Sequence, residues 1–417
     1  MLDWLIVGGG IHGTHLSLVL RDAGVAEGAV RVLDPWDEPL WRWTVLTGRT
    51  GMTFLRSPGV HHVGLDPYDL FRFAGRRRAR DDAHFRGRYR RPSLQVFQDH
   101  ACALSQEHGL GRLRVRGWAT GMTRIRGGLR VETDRGGLEA RRVVLAPGSA
   151  PPDPPPAWVG ALGKEGVPVG HLFQPTLAME PFQRAAAAAD RPVLVMGGGL
   201  TAVQLALRLA GEAIPVVLVA RSPVDVHPFD SAPGWLGPKY LHAFYRESSA
   251  AARRAMIRTA RNRGSVPEGV AGALRVAQER GEVRMEMGEV VEGHSRPAGG
   301  AVVTLEQEAG KVELEVSGIL LATGWGPGPP LRPWLMETAR EMGLPLSPCG
   351  FPIPEPSLHW GAGIHLSGAL AELEVGPAAR NIVGARMAAD RLREFALHPA
   401  IAAGTAGTSF REGVQRR

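Results

Sequence analysis

Leu5-Ile6-Val7-Gly8-Gly9-Gly10-Ile11-His12-Gly13 opens the chain as an apolar run, a glycine turn and the first turn of a helix, whose apolar positions continue at Leu16, Val19 and Leu20. A second strand-like run, Val30-Arg31-Val32-Leu33-Asp34, follows. The pattern predicts a βαβ unit and therefore a parallel sheet. Gly8-x-Gly10-x-x-Gly13 has the spacing a dinucleotide needs there. Gly8 allows the tight turn, Gly10 lets the backbone approach a pyrophosphate, and Gly13 lets helix and strand pack closely. The helix N-terminus adds partial positive charge and free N–H groups. Asp34, 21 residues past Gly13, is placed to accept hydrogen bonds from an unphosphorylated ribose.

The unit recurs. Val193-Leu194-Val195-Met196-Gly197-Gly198-Gly199-Leu200-Thr201-Ala202 leads into a helix patterned by Val203, Leu205, Ala206 and Leu209, then into Val216-Val217-Leu218-Val219-Ala220-Arg221. Here Gly197, Gly199 and Ala202 form the Gly/Ala variant of the motif. The second strand ends in Arg221-Ser222 instead of an acid. A guanidinium binds a 2′-phosphate bidentately, so this site suits NADPH. The alternative for Arg221 is a solvated loop arginine in an Arg-rich chain. Two such sites, the first closed by an acid, point to an α/β flavoprotein with two Rossmann-like domains in which NADPH reduces FAD.

The whole chain of 417 residues fits this plan. Its 44% hydrophobic and 22% charged residues are those of a globular protein. No apolar run is long enough to span a bilayer and no signal peptide opens the chain, so a cytoplasmic location without membrane association is expected. Cys102 and Cys349 are the two cysteines, which excludes a disulfide scaffold, a zinc module and a CxxC redox pair; no metal is expected. Cys102 falls in an apolar helical pattern and is expected to be buried. The formal charge of +8 comes almost wholly from Arg, with Lys at 164, 239 and 311 alone. The run Arg76, Arg77, Arg78, Arg80, Arg86, Arg88, Arg90 and Arg91, with Phe85 and Tyr89, reads as a solvated loop or a rim that steers NADPH, ahead of a nucleic-acid surface.

Two apolar strands end in small-residue turns before Pro-rich breaks: Val143 to Gly148 before Pro151–Pro156, and Ile319 to Gly324 before Gly326–Pro330. These mark exits from two domains, with Gly148 and Gly324 beside the cofactors. The expected segments are 1–175 for the FAD domain, 190–324 for an inserted NADPH domain, 325–400 for a C-terminal return to the FAD domain, and 401–417 for a tail. A helix is expected over 93–108 with Ser93 as N-cap, several strands over 112–146, helices over 240–280, strands over 283–321, and an amphipathic helix from Pro377 to Phe395. At Gly376-Pro377 a helix start has N–H groups and a dipole suited to negative charge on a reduced flavin. Trp36, Trp41 and Trp43 either flank the flavin or belong to the core.

The plan resembles the two-dinucleotide-domain flavoproteins, and among them it is most similar to the flavin-dependent monooxygenases that hydroxylate the side-chain amines of ornithine or lysine. Leu40-Trp41-Arg42-Trp43 resembles that family's flavin-bordering Trp-His segment, with Arg42 in the place of histidine. Thr53-Phe54-Leu55-Arg56 resembles its Ser-Phe-Leu-Lys stretch, which would bring Arg56 to a substrate carboxylate. Leu321-Ala322-Thr323-Gly324-Trp325 is similar to its Ala-Thr-Gly-Tyr segment. The family's Asn-Glu-x-Phe and Ser-Asp-Thr-Leu-Leu stretches have no counterpart, so ornithine or lysine is not carried over as substrate. The resemblance implies FAD, NADPH, O2 and a small substrate whose nitrogen or sulfur is oxygenated through a C4a-(hydro)peroxyflavin. His62, in the pair His61-His62, is a further candidate for the substrate pocket. The rival reading is an NADPH-dependent flavoprotein reductase that passes electrons to a protein or small acceptor without oxygen insertion. Self-association into a homo-oligomer is left open, and no single catalytic residue stands out.

Overall fold

The computed structural model describes residues 1–397; the expected tail and the end of the 325–400 segment lie outside them. Leu2–Val7 lies at the centre of an eight-stranded sheet because Trp4, Leu5, Ile6 and Val7 are buried on both faces, as a central parallel strand requires. Val30–Asp34 and then Arg114–Arg116 lie on one side of it, and Gly136–Leu145, Ile364–Leu366 and His359–Gly361 on the other. The order reverses at Leu2–Val7. Register aligns Val7 with Leu33 and Leu145, and Leu145 with Leu366, so the carboxyl ends of four parallel strands share one edge. The helices Ile11–Asp22 and Ile382–Leu397 bury Leu16, Leu18, Leu392 and Phe395 in the core of this sheet.

The second sheet is five-stranded and parallel, in the order Val283–Met287, Val216–Ala220, Val193–Met196, Gly318–Leu321, Val169–His171. Its order reverses at Val193–Met196. The helices Leu200–Gly211 and Glu268–Glu279 share one core with it. The antiparallel meander Glu289–Ser295, Ala301–Gln307 and Gly310–Val316 shares another.

The fold class is as expected, and three details differ. Val169–His171 pairs with Gly318–Leu321, and the helix Ala157–Lys164 buries Val159 and Leu162 in the second unit's core. The first segment therefore ends at the Pro-rich connector, not at 175; a three-residue edge strand has too little pattern to read. Pro377–Arg380 is a four-residue 3-10 turn, and the long helix begins at Ile382. Cys102 is exposed on the helix Leu94–Glu107, as Cys349 is in its loop. Ser93 caps the former helix, accepting from Val96 N–H at 3.3 Å. Among the described residues, no helix is long and apolar enough to cross a membrane.

The two units are sewn together by buried charge. Arg253 Nη1 donates to Glu374 at 2.8 Å, and Arg391 Nη1 approaches the same carboxylate at 3.7 Å. Glu372 pairs with Arg254 and, at 2.8 Å, with Arg380. The two glutamate side chains are 5% and 1% exposed. Carboxylates so buried persist only when paired. They fasten the helix Ala250–Ala260 of the insertion onto the C-terminal return.

Candidate dinucleotide sites

Both glycine turns leave the strand at which the order of their sheet reverses, the place where parallel α/β sheets open a crevice. In the first turn Gly8 has φ +111°, and a β-carbon there would strike the Ala146 carbonyl. A β-carbon on Gly13 would strike the Gly8 carbonyl, so the helix can approach the strand only without one. Gly10 differs: no atom lies within 4 Å of its β-position, so this face of the turn is open to a ligand.

Asp34 turns inward. Its Oδ2 accepts from Gly9 N–H at 2.5 Å, and its Oδ1 accepts from Trp36 N–H at 3.1 Å and pairs with Arg114 Nη2 at 3.0 Å. The carboxylate expected to hold a ribose thus organises the turn itself. Trp36 stacks on Trp41 with ring centres 3.8 Å apart, and Trp118 meets Trp36 edge-on. Leu40 N–H donates to Gly9 O at 3.0 Å, which sets the helix Trp41–Thr50 against the turn.

Three buried donors on the elements beside this turn have no hydrogen-bond partner among the described residues: Arg42 Nε, Trp43 Nε1 and Arg114 Nε. An unpaired buried N–H is costly, so these groups mark the turn and the helix after it as places of unmet polar demand. His12 is held by its Nδ1, 2.8 Å from Ser367 Oγ. Burial, with His15 nearby, pushes its pKa down to about 4, so it is neutral at pH 7. Burial also lowers the Arg42 pKa, against the pull of Asp34.

The second turn repeats the tight bend but not the open face. Gly197 has φ +145°, and a β-carbon there would strike the Ala322 carbonyl. Ala202 is buried against Gly197, the role Gly13 has in the first turn. At Gly199 a β-carbon would fall 3.2 Å from Gly264 Cα. Arg221 is exposed beyond the strand end and pairs with no carboxylate among the described residues.

Between the turns runs a stack. The Arg42 guanidinium lies 4.8 Å from the Trp325 ring, and Trp325 stacks on Phe173 at 4.0 Å. The exit glycines Gly148 (φ +85°) and Gly324 (φ +93°) both have open β-positions at their carboxyl edges.

Other expected site residues are engaged by the chain itself. Arg56 donates to the carbonyls of His227, Pro228 and Ser265 and to Ser265 Oγ, tying the two units together. Four of its five N–H donors are engaged by the chain. His62 is fully buried; its Nδ1 accepts from Gly64 N–H and its Nε2 lies 3.1 Å from Pro67 O, so it shapes a turn. Gly376 and Pro377 are buried, with Gly376 against Leu241 and Phe244 of the helix Pro238–Arg246. Arg114 and Phe173 carry no motif and only the fold brings them here; Trp325 closes the Ala-Thr-Gly segment, whose pattern gives no sign of its stack on Phe173. No group of three or more His, Cys, Asp or Glu suited to a metal occurs among the described residues.

No family model matches the chain, and no curated protein matches it in sequence. Solved structures match it in fold. An ornithine N-hydroxylase from Kutzneria sp. 744, its structure described with reduced FAD, NADP+ and L-ornithine, is 17% identical; the match covers 96% of this chain and 99% of that one with a TM-score of 0.69. A cadaverine monooxygenase from Erwinia amylovora, bound to FAD, is 15% identical over 95% and 93% of the two chains, with a TM-score of 0.70. A bacillithiol disulfide reductase from Bacillus cereus is 15% identical over 95% and 99%, with a TM-score of 0.58. At these identities the likeness is one of fold.

Proposed function

We propose that the chain is an FAD- and NADPH-dependent oxidoreductase that oxygenates a nitrogen or sulfur of a small molecule. The observation that carries the reading is the pair of glycine turns on two sheet edges joined by the Arg42–Trp325–Phe173 stack. Bound FAD and NADPH would supply hydride exchange and oxygen transfer; the chain supplies the rest.

At the first turn the open face of Gly10 admits a diphosphate against the helix dipole. At the second turn the helix Leu200–Gly211 receives the other diphosphate, and Arg221 takes the 2′-phosphate. The stacked rings and guanidinium link the helix after the first turn to the strand exit beside the second. Fold likeness to amine hydroxylases at a higher TM-score than to the disulfide reductase supports oxygenation over electron relay. The cysteines, which sit singly on separate elements, argue only against a dithiol relay.

The test is spectroscopic, then chemical. Purified protein should be yellow, bleach with NADPH far more than with NADH, and on re-oxidation with amines or thioethers yield oxygenated product. A colourless protein that takes up no FAD sinks the reading. Peroxide as the sole product across such a panel leaves a reductase.

A further inference from the structure

We infer that the indole of Trp118 is the platform on which the adenine of the dinucleotide at the first glycine turn stacks. The inference rests on the FAD reading above and deepens it.

The order of the first sheet sets the place. Leu2–Val7 leads into the glycine turn, Val30–Asp34 is its neighbour, and Arg114–Arg116 lies beyond on the same side. The three strands are parallel, so their carboxyl ends share one edge. A dinucleotide whose diphosphate sits at the first of them, and whose ribose sits at the end of the second, carries its base onward over the end of the third. Register pairs Asp34 with Arg116, and Gly117 N–H donates to Asp34 O at 3.1 Å. Trp36 and Trp118, each two residues past this pair, therefore stand side by side at that edge. Of the chain's ten tryptophans, all among the described residues, Trp118 alone is exposed, at 51%. Yet it is fixed. Its N–H donates to Asp134 Oδ1 at 2.8 Å, and its carbonyl accepts from Asp134 N–H at 3.2 Å. Its ring meets that of Trp36 at 76° with centres 6.4 Å apart, and Trp36 is itself stacked on Trp41. A rigid apolar ring left in water is a ready stacking partner for a flat base, since little freedom is lost when the base arrives. The exposed side chains beside it, Arg116 and Asp37, are charged and paired at 3.1 Å, so the apolar surface suits one base and not a protein contact. Asp34 already accepts from Gly9 and Trp36 N–H groups and pairs with Arg114, which shifts recognition of the adenosine from the ribose to the base.

The experiment titrates FAD, ADP and riboflavin into the full chain freed of flavin and into W118A and W118F. Far-UV circular dichroism checks folding, and light scattering gives the oligomeric state. W118A should weaken FAD by about fivefold to a hundredfold, as loss of base–aromatic stacking does, and ADP in parallel. W118F, which keeps a ring, should lose less. Riboflavin, which lacks the adenosine, should bind all three chains alike. Saturating ADP should quench the tryptophan fluorescence of the wild type. W118F should lose most of that quench while still binding ADP, a change that a merely structural ring would not produce. Should W118A fail to fold, the W118F quench decides. FAD and ADP affinities in W118A within about twofold of wild type, or an undiminished quench in W118F, overturn the inference. So does a W118A chain that loses a dimer but keeps its FAD affinity, which assigns the ring to a second copy. A wild-type chain that binds no FAD instead overturns the function proposed above.

Discussion

The Arg42 guanidinium lies over the face of Trp325 at 4.8 Å, joining the helix that closes the first glycine turn to the strand exit beside the second. Cation–π contact of a partly desolvated guanidinium contributes about 1–2 kcal/mol. R42A or W325A should therefore slow anaerobic bleaching of bound flavin by NADPH roughly 5- to 30-fold with the fold intact. Stopped-flow absorbance reads this directly, and an unchanged rate would separate the stack from hydride transfer.

Arg221 stands exposed just past the strand Val216–Ala220, and the proposed function gives it the 2′-phosphate. R221A should raise KM for NADPH by about tenfold or more while leaving that for NADH within about twofold, because only the phosphorylated ribose loses a charge-assisted pair. Equal losses for both reductants would remove Arg221 from the site.

Glu374 and Arg253 form a buried pair, 5% and 11% exposed, across the seam between the units. Removing one partner strands the other, at about 3–5 kcal/mol. R253M should lower Tm by several degrees, and the double variant R253M/E374L should recover much of that loss. Differential scanning calorimetry tests both; a double variant no better than R253M would rule out stranded charge as the cause.

Acid should loosen the first unit before neutral pH affects it. His12, His15, His62 and His100 have pKa values pushed down to about 4, chiefly by burial. Each is lowered from its unfolded value near 6.5, so each stabilises the fold fully above that pH and loses its contribution as pH falls from about 6.5 through 4. Tm measured across this window should fall steeply, and H15Q should flatten the slope by about one proton's worth. A flat profile down to pH 4 would contradict the burial of these rings.

The two βαβ turns were legible because three signals coincide at each: an apolar run, glycines at fixed spacing and a helical period. The edge strand Val169–His171 was not, because three residues carry no periodicity, and the 3-10 turn at Pro377 begins with the same residues as a helix. The site was legible only in its backbone. That Asp34 would spend its oxygens on Gly9 and Arg114 depends on partners 25 residues upstream and 80 downstream, which local pattern does not report. Arg56 has the right chemistry for a carboxylate, yet the fold brings it three backbone carbonyls first.

The strand Ile364–Leu366 completes the first sheet beside Gly136–Leu145, and Ser367 just after it steadies His12. A nascent chain leaving the ribosome exposes Leu145 long before its neighbour Leu366 exists. At about 5–20 residues per second the wait lasts roughly 10–45 s. Throughout it an apolar parallel strand has a bare flank. The insertion, local in sequence, has time to fold first, so the first sheet is completed only once the second unit stands beside it.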